Sequence, residues 1–154
     1  MENQKLLEEF KRCATDPEHF ISNYIKVTHP VRGLVPFKLY PFQERILSDL
    51  EEHRFNILRK FRQAGCTTIA AAYSLWMVIF QKHKQVVILS KGDAESTEVL
   101  DRIKLMYDEL PEFLKQYTLD LNLPFFASQQ KIVLKICFDY VVSDLWKSGL
   151  NCLW

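Results

Sequence analysis

Polar and apolar positions along the chain fall into two periods. Residues 2–15 set Leu6, Leu7 and Phe10 at helical spacing in a polar background, which predicts a short amphipathic helix. Asp16-Pro17 follows, a capping residue and then a proline suited to the first helical position, so a second helix is expected to about Tyr24. Residues 29–37 hold two prolines and a glycine and read as an extended connector. Pro41 opens a third helix that carries Gln43, Ile46, Leu47 and Leu50 to about Glu52.

Beyond this point short apolar runs alternate with helical stretches. Residues 55–60 read as a strand, and residues 67–82 as a helix that is apolar nearly all round, hence buried between neighbours. Residues 85–90, Gln85-Val86-Val87-Ile88-Leu89-Ser90, look like a buried parallel strand. Asp93 or Ser96 then caps a helix to about Leu110, ahead of Pro111. Strand, helix, strand, helix in series predicts an α/β fold, a parallel sheet flanked by helices behind a helical N-terminal segment. Three regions are expected: residues 1–35, helical segment and connector; residues 36–120, the α/β part; and residues 121–154, a tail with a strand-like run at 132–142. The tail stops on Asn151-Cys152-Leu153-Trp154, which reads as an interrupted or frame-shifted end.

Composition narrows the class. The 154 residues suit one domain, and an apolar share of 48% excludes a disordered chain. Twenty Lys and Arg against nineteen Asp and Glu leave a net charge of +1, which gives no argument for nucleic acid. The start, Met1-Glu2-Asn3-Gln4-Lys5, does not resemble a signal peptide, and the apolar run at 69–80 is too short for a bilayer. Cys13, Cys66, Cys137 and Cys152 are scattered, with no Cys/His spacing that suggests a metal, and read as reduced thiols of a cytosolic protein.

The chemistry concentrates between Arg59 and Thr68. Arg59-Lys60-Phe61-Arg62-Gln63-Ala64-Gly65-Cys66-Thr67-Thr68 has the layout of a phosphate-binding loop between a strand and a helix start. Amides at a helix N-terminus and the helix dipole favour an anion there. Gly65, Cys66 and Thr67 fill the last three places of the motif, with cysteine where the phosphate-binding lysine normally stands. Cysteine supplies no fixed positive charge. Lys60, at the other end of the loop, has a stem long enough to take over that role, or else is a solvated neighbour of Arg59.

Four features together resemble the N-terminal ATPase region of the large terminase subunit of tailed bacteriophages, the motor that packages DNA into a procapsid. They are Gly33-Leu34-Val35-Pro36-Phe37-Lys38-Leu39-Tyr40-Pro41-Phe42-Gln43, similar to an adenine-binding segment; Arg62-Gln63-Ala64-Gly65-Cys66-Thr67-Thr68, similar to the family's phosphate loop; the Ala-rich helix with Trp76; and Ser90-Lys91-Gly92 followed by Glu98 to Lys104 and Leu110-Pro111. The resemblance implies a P-loop NTPase fold of the additional-strand, RecA-like class, of which this chain would hold an incomplete part. It implies ATP and Mg2+ as cofactors. Double-stranded DNA, the portal protein and the small terminase subunit would be its partners, and the host cell cytoplasm its location. Gln43 would bond the adenine edge. Tyr40 would pack on the base or on the chain entering that site, while Tyr40 and Phe42 read first of all as plain core residues. Lys60, Gln63, Ala64, Gly65 and Cys66 would line the phosphates, Thr67 would hold Mg2+, and Thr68 would bond phosphate or cap the helix. Arg62 resembles the arginine that stabilises charge on the transferring phosphoryl group, an effect of roughly a thousandfold or more.

A packaging ATPase also needs an acidic pair after an apolar strand, one carboxylate for the metal and one to activate water. The sequence contains no four apolar residues followed by Asp-Glu; Asp139 precedes Tyr140 and Asp144 precedes Leu145. A helicase or translocase of superfamily 2 and a degenerate, non-catalytic remnant are the alternatives.

Overall fold

The computed structural model describes residues 2–81, 86–88, 90 and 92–119. Six helices and one hairpin follow in order: α1 (Glu2–Thr15), α2 (Pro17–Tyr24), β1 (Lys26–His29), β2 (Gly33–Pro36), α3 (Pro41–Glu52), α4 (Cys66–Phe80), α5 (Asp93–Asp108) and α6 (Glu112–Leu119). The four helices predicted before residue 82 form close to their expected limits. Asp16 has extended backbone and accepts the His19 N–H at 2.9 Å, so the Asp16-Pro17 corner ends α1 and starts α2.

The parallel sheet is not there. Among the described residues the only ladder is antiparallel, β1 against β2, with Lys26 opposite Pro36 and His29 opposite Gly33. Residues 55–60 and the described part of 85–90 are irregular. The expected P-loop NTPase, RecA-like architecture is therefore replaced by a mainly helical one. The reason is that an apolar run is only a candidate strand. It becomes one when another backbone takes its N–H and C=O groups. Residues 55–60 also turn large side chains to solvent: Ile57 is 91% exposed and Phe55 is exposed too. The segment expected as a connector supplies the hairpin instead. Its turn is held by His29 Nδ1, which accepts the N–H groups of Val31 and Arg32, each at 3.2 Å, and by Gly33 at φ +70°. The tail, with its expected strand at 132–142, lies outside the described residues.

The core is built round α4, which packs against α2, α3 and α5. Ile69, Ala71, Ala72, Leu75, Trp76 and Ile79 are buried, as are Phe20 and Ile21 of α2, Leu47 of α3 and Ile103 and Met106 of α5. The small Ala71 and Ala72 let neighbouring helices approach closely. Phe80 sits among aromatic rings, 5.2 Å from Phe10 and 5.3 Å from Phe20. A polar bond crosses this core between α4 and the end of α1: Trp76 Nε1–H donates to the Cys13 carbonyl at 2.8 Å. In a continuing helix that carbonyl would accept from residue 17, but residue 17 is proline and has no N–H. The indole satisfies the acceptor that the Asp16-Pro17 corner leaves over. No helix among the described residues is long and apolar enough to cross a membrane.

At the far end of α3, burial raises the pKa of Glu51, and the charges of Asp16 and Glu52 add to the shift. A carboxyl with a raised folded pKa stabilises the fold only while protonated, below its unfolded value of about 4.3, and that contribution is lost as pH rises through the folded pKa. Glu51→Gln should therefore raise the thermal midpoint slightly at pH 7, and the gain should vanish below pH ~4 in melts followed across pH. Trp76→Phe keeps the apolar ring but strips the Cys13 carbonyl of its donor. Chemical denaturation should show a loss of about 1–3 kcal/mol.

Candidate functional site

The candidate site is assembled where α3 and α4 begin. Tyr40 is the residue before α3, with φ −90° and ψ 154°, and Pro41 supplies the first helical position. Gln43, three places after Tyr40, turns its side chain back, and its Oε1 accepts the Tyr40 N–H at 3.0 Å. This is the glutamine half of a capping box. The other end of the same amide, Nε2, donates to the Ala64 carbonyl at 3.1 Å. Gln43 is only 2% exposed, so the bond is made in a dry environment where an unpaired amide would be costly.

The loop that receives this bond has two left-handed residues, Gln63 at φ +65° and Gly65 at φ +74°, on either side of Ala64. Glycine adopts that conformation freely; for glutamine it costs about 1–2 kcal/mol. Gly65 is required on a second ground. A Cβ placed on it would lie 2.8 Å from Gln43 Nε2. Its carbonyl accepts the N–H of Thr68 at 2.9 Å and of Ile69 at 3.0 Å, and no side chain caps the helix. The Cys66 and Thr67 amides thus stand ahead of the first helical bonds, at the positive end of a 15-residue helix. Left-handed residues just before a helix turn successive amides toward one point, a concavity suited to an anion.

The side chains divide into three groups. Gln43, Ala64, Gly65 and Cys66 form a packed inner layer, and the Cys66 thiol is 4% exposed. Lys60, Thr67 and Thr68 are half-buried, whereas Arg62 and Gln63 are exposed. Thr68 lines a groove of about 440 Å3 between β1 and α5, with Lys26, Thr28 and Arg102. Gln43 meets the loop directly, Lys60 and Arg62 lie on the irregular segment leading into it, and Thr68 lines the groove beside β1.

Two roles read from sequence change. Gln43 was expected at the edge of an adenine ring; here one donor and one acceptor of its amide are already engaged by protein backbone. Tyr40 and Phe42, read first as core residues, are exposed, Tyr40 at 63%. Their rings stack at 5.8 Å with only 7° between planes, and Phe42 lies 6.1 Å from Phe61. Phe61 is a further member of this aromatic surface that the motif gave no reason to select. No protein-family model matches the chain.

Gly65→Ala should cost about 1–2 kcal/mol from the left-handed backbone alone. Gln43→Ala should cost about 1–3 kcal/mol by orphaning the Ala64 carbonyl and the Tyr40 N–H. In the double variant the new methyl meets no amide, so the summed loss should fall short of additivity in a denaturation cycle.

Proposed function

We propose that the turn preceding α4 binds the phosphates of ATP with Mg2+, and that the chain is an ATPase region of the kind found in the DNA-packaging motors of tailed phages. The observation that carries this reading is the Gln43 bridge. The resemblance to the large terminase subunit rests on two segments, one read as adenine-binding and one as a phosphate loop. The bond from Gln43 Nε2 to the Ala64 carbonyl joins them at 3.1 Å. The exposed stack of Tyr40 and Phe42 beside that bridge offers a flat apolar face for a purine ring, and the amides ahead of α4 offer donors for its phosphates.

In this reading the buried Cys66 thiol takes no part in phosphate binding, and Lys60 supplies the cation from the loop's entrance. Thr67 offers one hydroxyl to Mg2+, whose other ligands would come from phosphate oxygens and water. Arg62, exposed on the same loop, would neutralise charge on the outermost phosphate. The sequence lacks the acidic pair that activates water, so the proposal is nucleotide binding with little or no turnover by this chain alone. Double-stranded DNA, a portal protein and a small terminase subunit in the host cytoplasm are the partners and setting the same reading proposes.

A fluorescent ATP analogue titrated with Mg2+ tests it. The chain should bind, Lys60→Ala should lose at least tenfold in affinity, and Cys66→Ala should bind as the parent does. Folded protein that shows no binding would favour the degenerate remnant. A crippling Cys66→Ala with a harmless Lys60→Ala would remove the relocated cation.

A further inference from the structure

The four cysteines show no metal-binding pattern in sequence, yet the fold gathers a donor set at the corner of α1 and α2. Glu9 and Cys13 are one helical turn apart on α1, on the same face. The Asp16-Pro17 corner then folds α2 back and sets His19 against them. His19 Nε2 lies 2.6 Å from Glu9 Oε1, and Cys13 Sγ lies 4.0 Å from the same oxygen. One ligand atom from each of the three residues falls within 4.8 Å of the others. Tyr24 closes the group, its hydroxyl donating to Glu9 Oε1 at 2.9 Å.

We propose that Glu9, Cys13 and His19 form a binding site for a zinc-class divalent cation, with water in the fourth position. Three arguments support this. The first is geometric. Metal–ligand lengths of about 2.0–2.3 Å put tetrahedral ligands about 3.3–3.7 Å apart, so the site needs each atom to move by well under 1 Å. The second is charge. A thiolate, a carboxylate and a neutral imidazole carry two negative charges, which balance the ion in a largely enclosed place; the Cys13 side chain is fully buried and His19 is 14% exposed. The third is donor softness. Sulfur and imidazole nitrogen favour zinc over magnesium or calcium, which take oxygen.

The positions are held from behind. Trp76 fixes the Cys13 backbone through its carbonyl. Asn23 lies on the outer nitrogen of His19, with Nδ2 3.1 Å from Nδ1. Without metal, the Cys13 thiol points its hydrogen at Glu9 Oε1, 4.0 Å away. Metal binding displaces the thiol proton to solvent and forms the metal–sulfur bond. Nε2 gives its lone pair to the metal, so the bound imidazole carries its proton on Nδ1. There it faces solvent once the Asn23 amide, which also donates to the His19 carbonyl at 2.8 Å, turns off Nδ1.

The test uses the full chain, reduced and stripped of metal, with Co2+ as the optical probe and Zn2+ as competitor. One equivalent of Co2+ should produce a sulfur-to-cobalt charge-transfer band with tetrahedral d–d bands. Zn2+ should displace it and raise the thermal midpoint. Cys13→Ser should abolish the charge-transfer band, and Cys66→Ser should leave it intact. Should Cys13→Ser fail to fold, Glu9→Gln decides, since it still accepts from Tyr24 but brings no charge to the metal: affinity about tenfold or more weaker supports the site, and unchanged affinity overturns it. The absence of a sulfur band, or a band that survives Cys13→Ser, would also overturn it.

Discussion

α4 has no wet face, and most of the architecture follows from that constraint. A helix buried by α2, α3 and α5 must have its polar groups answered from inside the protein. Ser74 Oγ does so locally, donating to the Ala70 carbonyl at 2.6 Å. Trp76 does so at long range, on the carbonyl left over at the end of α1. At the front of the helix the answer is Gln43, which ties the turn before α4 to the start of α3. Every buried side-chain nitrogen and oxygen among the described residues has a partner. The hydrophobic effect places α4 in the middle, but these few polar bonds fix its neighbours in orientation and register.

The helices were legible because their signals are local. Apolar spacing, Asp16-Pro17 and Pro41 act within one or two turns, and the structure follows them. The strands were not legible, because a strand is defined by a partner that the run itself does not name. Residues 55–60 and 85–90 have apolar content, yet among the described residues only the segment around His29 and Gly33 finds a backbone to pair with, its own other arm. α6 is hidden in the sequence for a related reason: Pro111 ends α5's pattern and also opens the next turn, its carbonyl accepting the Leu114 N–H at 3.0 Å.

The candidate site was legible in outline only. The motif pointed to Gly65, and the structure requires glycine there, for its backbone angle and for the approach of Gln43. The motif also pointed to Gln43, but its chemistry could not be read without knowing what lies opposite; the amide is engaged by backbone on both sides. The exposed stack of Tyr40 and Phe42, joined by Phe61, depends on a tertiary meeting of α3 with the loop. The grouping of Glu9, Cys13 and His19 depends on how one corner folds, and spacing along the chain does not reveal it. Residues that act through neighbours close in sequence were found, and those that act across the fold were not.

Trp76 has one further consequence. Its ring is buried, stacks on Tyr73 at 5.4 Å and is hydrogen-bonded to the backbone of Cys13. Indole emission depends on the polarity round the ring and on its N–H bond. If α1 peeled from α4, both would change at once, and the share of the fluorescence that comes from Trp76, one of three tryptophans, would shift toward the colour of a wetted ring. The protein thus carries an intrinsic spectroscopic gauge of how firmly its first helix is seated.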